Sequence, residues 1–380
     1  MRLSRRILLL LMASAAVLSC RREQWLPVEE EMVDLGIYVR FPEAETKAEV
    51  AGTAAESTIY DLRIWVFLSE GFDDARPAGY LLGYISPYQN NAHRLTAYED
   101  RYFLRIPADI AHAKPDLDVY VLANGPNINR GGFNANTTRA TLDAALLEGN
   151  YYGVSSDGRP LQTTVPSNGL PFSAVGKHLP MRGNYPTLSV QTVTAKRLVS
   201  KFRFVVSQLT DLAGPVLDFS IDELSLDGGM IGAKEYIFNT TGNDFSLFKS
   251  GTDAVDYLQP RILYPIPGSV ALNPSPQDYA FVSGAETYDE YQTRIQAGIE
   301  AGHLTDAGVA YFRETDKPLS GRVVYTINGE QRTHSFSMSA PGGFSRGHSW
   351  LAYLYFTRDK IHFTVSWTDW EQGGDFNLGE

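Results

Sequence analysis

Mainly β structure in two domains is what this chain predicts, on three observations. Aromatic residues make up 12% of it, and apolar runs recur between clusters of Gly, Pro, Asn and Asp, the punctuation of strands and turns. Several runs alternate apolar with polar residues, the period of a half-buried strand. At 380 residues and 43% hydrophobic side chains, the chain is long enough for two separate cores.

The N-terminus comes first. Arg2, Arg5 and Arg6 precede the apolar Ile7–Leu11 and the small residues of Ala13–Ser19. That order is the layout of a secretory signal, and the apolar run is too short to span a membrane as a helix. Val17-Leu18-Ser19-Cys20 resembles the lipobox of bacterial lipoproteins. The resemblance implies cleavage between Ser19 and Cys20, acylation of Cys20, and a lipid hold on the outer membrane to which each buried methylene adds about 0.8 kcal/mol. Residues 1–19 are then a signal peptide and 20–31 a lipidated linker, with Glu29–Glu31 solvated. Cys20 is the sole cysteine, so no intrachain disulfide is available and core packing must hold the exported chain. Net charge is −11; loss of the three signal arginines makes it −14. So acidic a chain is a poor nucleic-acid binder.

Strands follow. Met32–Phe41 alternates Val33, Leu35, Ile37 and Val39 against polar or small residues. "IYDLRIWVFLS" puts Ile64, Val66 and Leu68 on one face, and "RYFLRIP" and "DLDVYVLANGP" come next, the latter ending in an Asn-Gly-Pro turn. "TTRATLDAALLEG" reads as a helix: Thr137 or Thr138 caps it, Leu142, Ala145 and Leu146 give the spacing, and Gly149 stops it. From Thr187 a long run continues through Lys201-Phe202-Arg203-Phe204-Val205, and the domain boundary is expected just ahead of it, giving domains 32–186 and 187–380. A second helix is expected over 288–302, ending at Gly302. The chain finishes with a hairpin turning at Asn328-Gly329 and a second pair, "HSWLAYLYF" and "DKIHFTVSWTDW", joined by a turn at Thr357–Lys360.

Candidate chemistry is sparse. Gly343-Phe344-Ser345-Arg346-Gly347 matches G-x-S-x-G, yet a nucleophile elbow needs a strand before the serine and a helix after it. Here Pro341-Gly342 precede and a strand follows. His93, His112, His178, His303, His334, His348 and His362 form no tight metal spacing. Asp218, Asp222, Glu223 and Asp227 lack the calcium-loop pattern. Asn239 sits in a glycosylation-like sequon. Trp25, Tyr151 and Tyr152 are aromatics able to stack on glycans. No metal, no cofactor and no enzymatic activity are expected.

In order along the chain, "IYDLRIWVF", "VYVLANGP", "LPMRG" before "TAKRLVSKFRFVV", "FSRGHSWLAYLYF" and "FTVSWTDWEQGG" resemble the fimbrillin family of type V pili. Gly347 replaces the usual asparagine. Residues 285–318 have no counterpart in the resemblance. It implies two tandem β-sandwich-like, transthyretin-like domains. It also implies a pilus subunit for cell adhesion, exported as an outer-membrane lipoprotein and exposed at the cell surface. A trypsin-like protease would cut at Lys47–Ala48, with lysine where arginine is usual, or secondarily at Arg40–Phe41. The cut would remove the first strand, with Val33, Leu35, Ile37 and Val39 as its inward face. Another subunit's C-terminal segment would fill the groove. In this chain that donor is 361–378, with Ile361, Phe363, Val365 and Trp367 on its apolar face. Stalk or tip is favoured over base anchor; an uncut subunit would fit the base. The partners implied are other pilus subunits, the maturation protease and a host or bacterial surface ligand. A competing reading is a surface lipoprotein that binds glycans for nutrient uptake.

Overall fold

The computed structural model describes residues 31–41, 56, 58–88, 93–94, 99–128, 130–148, 165, 169–210, 218–226, 234–240, 262–263, 270–282, 284–339, 343–357, 361–369 and 376–378. Among these the chain is mainly β, with strands numbered here along the sequence. The first lobe is a sandwich of two sheets. One sets β10 (Arg182–Asn184), β11 (Thr187–Ser189), β1 (Met32–Arg40) and β12 (Val193–Thr194) in line, with β6 (Glu99–Pro107) also paired to β1. The other runs β13 (Lys196–Arg197), β9 (Phe172–Leu179), β7 (Leu117–Ala123), β3 (Leu62–Leu68) and β4 (Leu81–Tyr88). Their facing side chains form one core, Leu35, Ile37 and Ile106 from the first sheet against Ile64, Val121 and Phe172 from the second. A β-carbon on Gly83 in β4 would lie 2.3 Å from Leu104 Cδ1 in β6, so a glycine lets the sheets close there.

β3 departs from the single inward face read in the sequence: all seven of its residues are buried. The opposite face is roofed by the segment after β7. Trp65 Nε1 donates to the Asn134 carbonyl at 2.8 Å, and the Arg63 guanidinium donates to the Gly131 carbonyl at 2.8 Å while pairing with Asp61 at 2.9 Å. A strand covered on both faces shows no clean period of two.

The second lobe repeats the two-sheet plan. One sheet runs β19 (Pro274–Ser275), β14 (Ser200–Leu209), β23 (His348–Phe356), β24 (Ile361–Asp369) and β25 (Phe376–Leu378), with β20 (Thr305–Phe312) on β14. The other runs β17 (Ile262–Leu263), β15 (Phe219–Leu226), β21 (Leu319–Ile327) and β22 (Glu330–Met338), with β18 (Val270–Ala271) on β15. Phe202, Phe204, Phe219, Ile221 and Val323 meet between them. Asn328 and Gly329 have φ of 47° and 83°, the left-handed pair that a two-residue hairpin turn requires. Two short pairings complete the structure: β2 (Thr58–Ile59) with β5 (His93–Arg94), and β8 (Leu146–Glu148) with β16 (Lys234–Tyr236).

Two expectations are corrected. The boundary ahead of Thr187 falls inside the first lobe, because β11 and β12 flank β1 and β13 pairs with β9. The sheets change between Arg197 and Ser200; unbroken alternation along the run carries no mark of that change. The helix over 137–149 is only α2 (Arg139–Asp143), following α1 (Ala108–Ala113). Thr138 caps it by accepting from the Thr141 amide, but Leu146–Glu148 turns to strand, because β16 supplies backbone partners there. Segment 285–318 is integral to the second lobe. α3 (Tyr288–Glu300) starts in a capping box between Thr287 and Glu290 and buries Tyr291 and Ile295 against Val205 and Tyr353, while β20 pairs with β14. Gly302 follows α3 at φ 73°, a left-handed stop that favours glycine.

Candidate strand-exchange site

β1 is not an edge strand. On one side it pairs antiparallel with β6 over nine positions, from Met32↔Pro107 to Arg40↔Glu99. On the other it pairs in parallel with β11 and β12, where Val190 donates to the Gly36 carbonyl at 3.0 Å and Ala195 to the Arg40 carbonyl at 2.8 Å. Alternation fixes which side chains face inward but says nothing about neighbours. Val33, Leu35, Ile37 and Val39 are at most 4% exposed. Burial of four such side chains is worth roughly 6–12 kcal/mol, comparable with the whole stability of a domain. Without β1 the lobe would hold a slot with unpaired backbone on both walls and an apolar floor.

The two candidate cuts differ. Lys47 and Ala48 lie outside the described residues, as do Ser19 and Cys20. Arg40 and Phe41 are held in place: the Arg40 carbonyl accepts from Ala195, and Phe41, 4% exposed, packs edge-on against Phe172 at 5.9 Å. A protease needs a segment it can draw out, so Arg40–Phe41 is guarded by the fold.

The C-terminal candidate is also internal. β24 pairs with β23 at nine positions, from His348↔Asp369 to Phe356↔Ile361, and β25 caps its outer side at three, from Val365↔Leu378 to Trp367↔Phe376. The side chains of Ile361, Phe363, Val365 and Trp367 lie outside the described part. Among the described strands of that sheet, β25 is the terminal one on this side.

Ser345 builds no nucleophile elbow. Its Oγ lies 2.8 Å from His348 Nδ1, a contact within one turn. The amide after the serine, which an elbow uses for its oxyanion hole, is occupied: Arg346 N–H donates to Glu314 Oε2 at 3.2 Å. The next amide, of Gly347, donates to the Val199 carbonyl at 3.0 Å. Strand β23 follows, not a helix. Asp222 and Glu223 serve cross-strand contacts, to Thr326 at 2.6 Å and Arg322 at 2.8 Å. Among the described residues no group of three or more His, Cys, Asp or Glu side chains could hold a metal ion.

Sequence reasoning passed over the junction between the lobes. Glu56, 1% exposed, pairs with Lys201 at 3.0 Å and accepts from the Tyr311 hydroxyl at 2.6 Å. Glu235 in β16 is fully enclosed beside Glu314, Arg313 and Arg346. Burial first, and then the Glu314 charge, raise its carboxyl to about 8 against an ordinary 4.5, although both arginines pull it down. Ile237 and Phe238, next in the chain, enter the first lobe's core, where Ser173 Oγ donates to the Ile237 carbonyl at 2.5 Å. "AKEYIF" gives no sequence signal for such a crossing.

No family model matches the chain and no curated protein matches it. Solved structures do. A "putative cell adhesion protein" from Parabacteroides distasonis aligns over 90% of this chain and 99% of its own, at 14% identity and TM-score 0.50. Another so described, from Bacteroides eggerthii, covers 89% and 96% at 15% identity and TM-score 0.47. The tip fimbrial protein Mfa3 of Porphyromonas gingivalis, truncated at its C-terminus, covers 90% and 100% at 11% identity and TM-score 0.49. At these identities the likeness is one of fold.

Proposed function

We propose that this chain is a structural subunit of a fimbrillin-type pilus that serves cell adhesion from the stalk or tip. It is exported as a lipoprotein through Cys20, cut after Lys47 by a trypsin-like protease, and assembled by strand exchange at the cell surface. The carrying observation is β1 itself: a strand bonded on both sides, with four buried aliphatic side chains, at the N-terminal end of the described residues. Its loss leaves a slot that only another strand of period two can fill, since backbone must pair and alternate side chains must enter the core. The fold shared with the "putative cell adhesion protein" of P. distasonis supports the reading. The donor is the C-terminal end of a neighbouring subunit. There β25 leads the exchange, because it is held at three ladder positions where β24 is held at nine.

Limited trypsin treatment, followed by N-terminal sequencing, size-exclusion chromatography and electron microscopy, tests this. The expected product begins at Ala48, keeps its fold, and forms fibres with copies that carry an intact C-terminus. Cleaved protein that stays monomeric in the presence of such copies refutes strand exchange. Native protein that retains residues 32–41 moves the subunit to the base of the pilus.

A further inference from the structure

Proteins recognise sugars with an aromatic ring against the apolar face and planar polar groups at its rim. The outer face of the β1–β6 sheet has both. A pocket of about 680 Å³ opens there, within the size range of small-ligand sites. Arg101, Phe103 and Arg105 project from alternate positions of β6, with Asp34 of β1 and Tyr185 and Thr187 across from them. Phe103 is 55% exposed and Tyr185 is 40% exposed, unusual for large aromatics on a surface so acidic overall.

The groups are held in place. The Arg101 guanidinium lies 4.5 Å over the Phe103 ring and 5.2 Å from that of Tyr38. Gly36 makes room for it, since a β-carbon there would sit 2.9 Å from Arg101 Nε. His112 stacks on Tyr185 at 4.8 Å, and the Tyr185 hydroxyl donates to Glu31. Among the described residues neither Arg101 nor Arg105 has a hydrogen bond or ion pair with a carboxylate, although Asp34 stands opposite Arg105 in the register. Stacking on a ring leaves the N–H edge of a guanidinium available to a planar anion.

We infer that this pocket binds a carboxylated sugar of a surface glycan. The carboxylate goes to Arg101 and Arg105, a hydroxyl donates to Asp34, and the apolar ring face lies on Phe103. A bare inorganic anion would leave Phe103 and Asp34 unused, and a neutral sugar would leave the guanidiniums unmatched. A peptide strand lying on this face gains no ladder, because backbone hydrogen bonds run in the plane of the sheet and β1 is paired on both of its sides. Because Asp34 belongs to β1, the site exists while β1 is in place, in the subunit before the cut after Lys47 or in an uncut one. It goes beyond the proposed assembly and is tested on that monomer, so its failure leaves assembly untouched and the failure of assembly leaves it standing.

The full chain, with β1 in place, is titrated by ligand-observed NMR with glucuronate, N-acetylneuraminate, glucose and glucuronate methyl ester. At least one of the two acids should bind, and about tenfold more tightly than glucose or the ester. Phe103→Ala and Arg105→Gln should each weaken it about tenfold, while circular dichroism and the melting temperature stay unchanged because both side chains are exposed. No binding of either acid up to about 10 mM, equal binding of acid and ester, or undiminished binding in an Arg101→Gln, Arg105→Gln, Phe103→Ala triple variant overturns the inference. Displacement of the sugar by a peptide of residues 369–380 at lower concentration also overturns it, in favour of a second copy of this chain.

Discussion

Asn124 ties the edge of the first lobe together. It has φ 55° and is 1% exposed. Its amide donates to the Thr58 and Leu170 carbonyls at 3.0 and 2.7 Å, and its oxygen accepts from the Tyr60 amide at 2.9 Å. Asparagine suits the position because it tolerates the left-handed region and replaces backbone partners with its own side chain. Asn124→Ala should cost roughly 2–4 kcal/mol in denaturant unfolding, from stranded polar groups and backbone strain together. Asn124→Gly should recover about 1 kcal/mol of that, the part due to φ alone. Glu235 makes a pH prediction. Its folded pKa stands near 8 against an ordinary 4.5, so the folded state binds the proton more tightly. Its contribution is complete below the lower value and is lost as pH rises through the higher one. Melting temperature should therefore fall between about pH 5 and pH 8, and Glu235→Gln, which stays neutral, should flatten that slope. An identical slope in the variant would assign the pH dependence to other groups.

Legibility varies by element. The inward face of β1, the Asn328-Gly329 turn and α3 were all readable, because each depends on local chemistry: a period of two, a left-handed pair, a capped amphipathic run. What failed was long-range. The sequence of Thr187–Leu209 alternates well but does not record that its first part flanks β1 while its last part enters the second lobe. Leu146–Glu148 has helical spacing and becomes strand only because Lys234–Tyr236 arrives beside it. The pocket residues Arg101, Phe103 and Arg105 were visible only as alternate positions of a strand; the ring and the two guanidiniums gain meaning once β1 and Tyr185 stand beside them. For β1 the buried face predicts a clear energetic effect. Ile37→Ala should cost about 2–5 kcal/mol, the range for truncating a fully buried aliphatic side chain. Trypsin should then also cleave Arg40–Phe41, which the intact ladder guards. Unchanged stability with Ile37→Ala would mean that β1 is not seated as described.

At the scale of the molecule, the two lobes are joined by more than a linker. β16 belongs by position to the second half yet pairs with β8 and feeds Ile237 and Phe238 into the first core. In return Glu56, between β1 and β2, reaches Lys201 and Tyr311 on strands of the second. In the proposed fibre, tension would pass from the N-terminal slot to the C-terminal strand through such a junction, because independent lobes would hinge under it. Coupling of this kind makes two domains unfold together when the interface is worth more than the difference in their separate stabilities. The intact chain should therefore give one calorimetric transition. Glu56→Ala takes the buried carboxylate from Lys201 and Tyr311, at an expected cost of about 3–5 kcal/mol for breaking a buried ion pair. Because that loss falls on the junction and leaves each core as it is, the variant should separate into two transitions. Glu56→Gln, which can still accept from Tyr311, should fall between the two. A single transition merely shifted to lower temperature in Glu56→Ala would mean that the crossing of β16 alone holds the lobes together, and a matching break at Ser173→Ala, which removes the donor to the Ile237 carbonyl, would then be the place to look for the split.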